Sequence, residues 1–273
     1  MQKDSRPAAV AGMFYPESAR LLAGTVAGML EQAAASPPLH PKAIIAPHAG
    51  YIYSGPIAAS VYAPLAALHG IVRRVVLLGP THRVAIKGLA IPTCATFTTP
   101  LGDVTVDHES VTRIADLPQI VASDEAHAQE HSLEVQLPFL QTVLGEFLLL
   151  PLAVGQASAE AVAEVLERVW GGDETLIVVS SDLSHYLSYD MACRNDSHAA
   201  RQILDLDPTL NHQQACGATP VNGLLLAARR HQLLGKLLDL RNSGDTAGDK
   251  ARVVGYGAFA FLESRTGALA HAY

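Results

Sequence analysis

The sequence predicts an α/β fold, a single domain over residues 1–273 in which a central, largely parallel or mixed sheet is flanked by helices. Two observations carry this prediction. Short apolar, often β-branched runs alternate along the chain with longer stretches of helical periodicity, the pattern left by strand–helix–strand units. The composition supplies the core: 49% of the 273 residues are hydrophobic and 16% charged. A chain of this length buries roughly three quarters of its unfolded surface and needs no metal or disulfide staple to do so.

Taken in order, the first helix is predicted over residues 17–35, and Ser36-Pro37-Pro38 separates it from the first strand, 43–46. A helix over 56–68 begins at Pro56, where a first turn tolerates a missing N–H. Strands over 74–78 and 88–91 follow, then helices over 110–115 and 133–144 and a strand over 147–152. The apolar run from Phe147 to Val154 is broken by Pro151 and is far too short to span a bilayer. The helix over 159–170 ends at Gly171-Gly172, where a left-handed residue can close it. A strand over 175–179, helices over 191–204 and 220–232, and strands over 236–240 and 253–261 complete the series. No internal repeat, low-complexity tract or linker divides the chain.

Charge narrows the function classes. With 19 basic and 26 acidic residues the net charge is −7, and no basic cluster exceeds the pairs Arg73-Arg74 and Arg229-Arg230. That argues against nucleic acid and anionic membranes and leaves small molecules or proteins as partners. Cys94, Cys193 and Cys216 are odd in number and widely spaced, which fits reduced thiols better than a disulfide framework. The polar stretch from Met1 to Pro7 reads as neither a signal nor a transit peptide, so a cytoplasmic protein is expected. The composition leaves a homodimer open.

Three predicted strands run into loops of one character, Ala46-Pro47-His48, Leu78-Gly79-Pro80-Thr81-His82 and Ser180-Ser181-Asp182-Leu183-Ser184-His185. In open α/β sheets ligands bind beyond the carboxyl ends of the strands, so these imidazoles can meet. Imidazole is the commonest transition-metal ligand and also titrates near neutral pH, which suits two of them to metal binding and a third to proton transfer. Cys216, just before a predicted helix, would feel the positive end of the helix dipole and have a lowered pKa, although a free Cys is more often a small buried hydrophobe. Asp182 could orient His185 or cap a helix. Tyr51 and Tyr53 could wall a pocket or simply fill the core. His127-Ala128-Gln129-Glu130-His131 matches the H-x-x-E-H pattern of inverted zinc peptidases, a five-residue pattern easily met by chance.

Together the segments Ala11-Gly12-Met13-Phe14-Tyr15-Pro16, Ala46-Pro47-His48-Ala49-Gly50-Tyr51, Leu78-Gly79-Pro80-Thr81-His82, Glu130-His131-Ser132-Leu133-Glu134, Val179 to His185, Ala215-Cys216-Gly217 and Gly255-Tyr256-Gly257-Ala258 resemble the Memo-like family, known in prokaryotes as AmmeMemoRadiSam system protein B. The resemblance implies a fold similar to class III extradiol ring-cleavage dioxygenases, which hold non-haem ferrous iron on two His and a carboxylate. On that basis His48, His82 and Cys216 would be the metal ligands, His185 the acid/base with Asp182 beside it, and Tyr51 and His131 substrate-binding residues. Cys216 stands where those dioxygenases have Glu, and a thiolate in place of a hard carboxylate shifts preference toward Cu(I), Zn or thiolate-bound iron. The family pattern Glu-His-Ser-x-Glu leaves His127 outside it, which weakens the peptidase reading, and Glu134 could bond His131 or anchor the following helix.

The resemblance further implies a metal-dependent redox enzyme, with Fe(II) as cofactor and Cu or Zn as alternatives. It would act on a small-molecule or protein-derived substrate with radical-SAM and small partner proteins. The competing expectation is a non-catalytic module for phosphotyrosine peptides or metal handling that uses a vestigial dioxygenase-like pocket.

Overall fold

The computed structural model describes residues 4–33 and 37–263. The end of the helix predicted over 17–35 and Ser36 lie outside the described residues, as do 1–3 and 264–273. Along the chain come β1 (Ser5–Arg6), α1 (Ala19–Ala33), β2 (Ala43–Ala46), α2 (Tyr51–Tyr62), β3 (Arg74–Pro80), β4 (Leu89–Ile91), β5 (Thr96–Thr99), β6 (Gly102–Val106), α3 (His108–Ile114), β7 (Ile120–Ala122) and α4 (Asp124–Ala128). Then follow α5 (His131–Glu134), α6 (Leu137–Leu144), β8 (Leu148–Val154), α7 (Ala159–Arg168), β9 (Thr175–Ser180), β10 (His185–Leu187), α8 (Tyr189–Leu204), α9 (Ala218–Arg230), β11 (Leu233–Asn242) and β12 (Val253–Glu263).

All the strands belong to one mixed sheet. Its centre is the parallel set β8-β3-β9-β2. β12 continues it antiparallel to β2 and pairs in turn with β11 and β10, both antiparallel. On the other side β8 is shared: β6 runs parallel to its start and β4 antiparallel to its end.

Alternate residues of the central strands serve two cores. Ile44, Val75, Leu77, Leu176 and Val178 face α1, α2 and α6, whereas Ile45, Val76, Leu78, Ile177 and Val179 face α7, α8 and α9. Helices on both faces explain why these strands read as unbroken apolar runs and not as alternating ones.

Several elements differ from the sequence-based expectation. Pro56 sits inside α2, which begins five residues earlier at Tyr51. Its missing N–H is tolerated there because Ile52, whose carbonyl it would have bonded, is 68% exposed. The helix expected over 133–144 is two pieces, α5 and α6, separated at Val135-Gln136; the Gln136 amide is spent on the Pro47 carbonyl at 2.9 Å and Ser180 Oγ at 2.8 Å. The strand expected over 236–240 extends over the whole of β11, because it pairs with β12 almost end to end. β1, β5, β6 and β10 are short additions with no apolar run of their own, and β7 is an apolar run of only three residues, Ile120-Val121-Ala122. Gly171, at φ +62°, is the left-handed residue just past α7 that the Gly-Gly pair predicted.

Candidate metal centre

The order of the central strands builds the site. β2 and β3 are successive in the chain, yet β9 lies between them, so three adjacent strand ends release the loops carrying His48, His82, and Asp182 with His185. α5 docks against the end of β3 because Gly79 has no side chain; a Cβ there would lie 2.7 Å from Ser132 Oγ. His131, the first residue of α5, is thereby brought to His48 and His82. One ligating atom from each of these three side chains lies within 4.8 Å of the others. The His82 and His131 rings stack with centroids 4.6 Å apart, and Phe14 packs on His131 at 4.7 Å.

Hydrogen bonding fixes which ring nitrogens are free. Ser180 Oγ donates its single proton to the Ser132 carbonyl at 2.6 Å, so toward His48 Nδ1, 2.9 Å away, it can only accept. His48 therefore carries its proton on Nδ1 and presents a bare Nε2. His82 Nδ1 lies 2.8 Å from Glu130 Oε1, and the same carboxylate accepts the His82 and Ser132 N–H groups. Burial alone would raise the Glu130 pKa, but the hydrogen bonds and electrostatic interaction with His82 outweigh it and hold the carboxyl at about 2, so Glu130 is the acceptor, His82 donates to it from Nδ1, and Nε2 is the nitrogen left for a ligand. Such a carboxylate–imidazole pair is the usual support behind a metal-binding His. His185 Nδ1 donates to the Leu183 carbonyl at 2.9 Å, which leaves its Nε2 free as well.

Electrostatics keep His48 and His131 neutral. Burial, and then repulsion from His131, His82 and His185, push the His48 pKa well below its ordinary value. Burial lowers His131 to about 4. Cys216 Sγ lies 3.2 Å from His48 Nε2 and can donate to it as a thiol. Its pKa is not lowered as its position before α9 predicted: burial, then the nearby Asp182, push it up to about 12. The helix-end effect is too weak to offset desolvation without a cation beside the sulfur.

The other expected residues separate. Asp182 is not hydrogen-bonded to the His185 ring, although the two interact electrostatically; its Oδ1 accepts the His48 N–H at 2.7 Å and so fixes the loop after β2. Burial raises Asp182 to about 6 even though that N–H bond favours the charged form. Tyr51 is not a wall of the site. As the first residue of α2 it points into the core, packs on Tyr15 and Phe139, and bonds the Val135 carbonyl at 2.7 Å. Tyr53 is partly buried against the same core. His127 turns away, with Nε2 on the Ala90 carbonyl at 3.0 Å and its ring edge on Phe97, so the peptidase pair is not assembled. Glu134 likewise faces the chain's start, where it accepts from Ala9, Val10, Tyr15 and Arg6.

Glu130 and Ser180, which the sequence does not mark for this role, support the imidazoles. The adjacency of Glu130 to His131 was the available signal. The imidazole cluster, His185, Tyr186 and Cys216 open onto a cleft of about 830 Å3. Three imidazoles with a thiol alongside fit iron, copper or zinc and do not fit magnesium or calcium, which need several hard oxygen donors.

Comparison with known proteins agrees with the sequence resemblance. Residues 6–260 match the family described as Memo-like protein. A MEMO1 family protein of Ignicoccus hospitalis is 36% identical over 282 residues, covering 94% of this chain and 98% of that protein. One from Aquifex aeolicus is 36% identical over 269 residues, covering 94% and 99%. Among solved structures, an uncharacterized protein from Escherichia coli K12 covers 78% of this chain and 98% of its own at 13% identity, with a TM-score of 0.49. With a family match over nearly its whole length and relatives aligned almost end to end, the chain belongs to the Memo-like family.

Proposed function

We propose that this Memo-like protein is a non-haem iron- or copper-dependent redox enzyme whose metal is held by His48, His82 and His131 with Cys216 as a further donor. The observation that carries the reading is the convergence of three imidazoles within 4.8 Å at the floor of an open cleft. Iron or copper there would supply one-electron redox chemistry and a Lewis acid. The chain's own residues supply the rest. Ser180 and Glu130 accept from Nδ1 of His48 and His82 and so orient these two rings. Asp182 pins the backbone of His48. His185, with a free Nε2 on the cleft wall, can take a proton from a substrate and return it.

The test is metal content after anaerobic purification without a metal column. The parent is expected to hold about one equivalent of metal, an occupancy that follows from a single trio of converging imidazoles among the described residues. His82→Ala and His131→Ala should lose it, and Cys216→Ser should keep it with roughly tenfold or more weaker affinity. Full metal content in both His variants would remove the ligand assignment. Absence of metal from the parent, with none taken up on reconstitution, would leave the cleft as a recognition site.

A further inference from the structure

A second cleft of about 740 Å3 joins the first along His82, Arg83, His212 and Cys216, and it extends from the imidazole cluster toward Lys87 and Gln156. Each arm has the size of a small-molecule site. Their charge runs against that of the chain. The protein carries 26 acidic and 19 basic residues, yet the only carboxylate lining either arm among the described residues is Asp182, which is 4% exposed and already bound to the His48 N–H. The cations, in contrast, are available. Arg83 at the junction and Lys87 in the second arm are both exposed, and among the described residues neither has an ion-pair or side-chain hydrogen-bond partner.

We propose that the second arm binds the anionic end of an elongated substrate, a phosphate or carboxylate held by Arg83 and Lys87, while the reacting end lies at the imidazole cluster. The proposal rests on the metal-centre reading for the position of the reacting end and on the cleft itself for the anion. Two unpaired cations in a concave arm free of carboxylates concentrate field there and favour an anion over a neutral or cationic ligand. A guanidinium offers the paired donors that a phosphate or carboxylate accepts, and Lys87 adds a second charge in the same arm.

Calorimetric titration of the purified protein with inorganic phosphate, and separately with succinate, tests this, with metal content measured on the same samples. Arg83→Gln/Lys87→Gln should weaken binding at least tenfold while keeping the parent's metal load. Arg20→Gln/Arg113→Gln removes the same charge from exposed helix positions outside both arms and should bind as the parent does. The anion that binds the parent more tightly identifies the headgroup. No binding of either anion to the parent, or binding within twofold in the Arg83/Lys87 variant, would overturn the proposal. Anion binding that depends on Arg83 and Lys87 in a protein that takes up no metal would instead overturn the metal-centre reading and leave the anion site standing.

Discussion

At the scale of single residues, the protonation of each imidazole follows from its partner. Ser180, Glu130 and the Leu183 carbonyl each accept from an Nδ1, so in three rings Nε2 is the nitrogen left for a ligand. His127 shows the same logic outside the site: its Nε2 donates to the Ala90 carbonyl while its Nδ1 is buried without a partner. Burial lowers its pKa from 6.5 to about 4. Across that window the unfolded chain binds a proton that the folded ring refuses. The contribution of His127 is therefore fully present above pH 6.5 and declines, by a few kcal/mol, as the pH falls toward 4. Asp182, raised to about 6, works in the opposite sense, because there the folded state binds the proton first. Urea midpoints measured against pH should thus show a shallower loss between pH 6.5 and 4 in His127→Leu than in the parent. Identical slopes would mean that the ring is charged when folded.

At the scale of elements, the site depends on how closely α5 approaches the end of β3. Gly79 makes that contact, with Ser132 Oγ 2.7 Å and Leu133 Cδ2 3.1 Å from where a Cβ would stand, and Ser132 bonds the Pro80 carbonyl at 2.9 Å. Gly79→Ala is expected to cost about 1–3 kcal/mol and to weaken metal binding by shifting His131 away from His82. Gly24 in α1 is the contrast. A Cβ there meets nothing within 4 Å, and Gly24→Ala should stabilise the protein by about 0.5–1 kcal/mol with metal affinity unchanged. Equal metal affinity in parent and Gly79→Ala would show that α5 can move without consequence for the cluster.

At the scale of the whole molecule, the start of the chain is tied to the site through a buried ion pair. Arg6 in β1 bonds Glu134 in α5, and its remaining donors reach the His127 and Glu130 carbonyls at 2.9 and 2.6 Å. Glu134 also accepts the Ala9 and Val10 N–H groups and the Tyr15 hydroxyl. Removing one partner leaves a buried charge uncompensated, so Arg6→Met should lower stability by about 3–5 kcal/mol in chemical denaturation. A loss below about 1 kcal/mol would mean that water reaches Glu134 once the guanidinium is gone. Among the described residues no helix is long and apolar enough to cross a membrane.

The sequence by itself determined the α/β class, because apolar runs covered by helices on both faces leave a local pattern that needs no knowledge of pairing. It also placed His48, His82, Asp182 and His185 just past strand ends, since a strand's end is visible where its apolar run stops. The edge strands were not legible: β5, for instance, alternates partly and fully buried residues over only four positions and becomes a strand by pairing with β1 and β6. Only the tertiary structure decided which histidines meet. His131 enters the cluster because β9 is inserted between β3 and β2 and because α5 packs on Gly79, contacts between segments far apart in the chain. Tyr51, three residues from His48, turns into the core instead, since a side chain's direction follows the helix that carries it and the surface that helix buries. The pKa of Cys216 was decided the same way, by burial and by Asp182, neither of which its neighbours in sequence reveal.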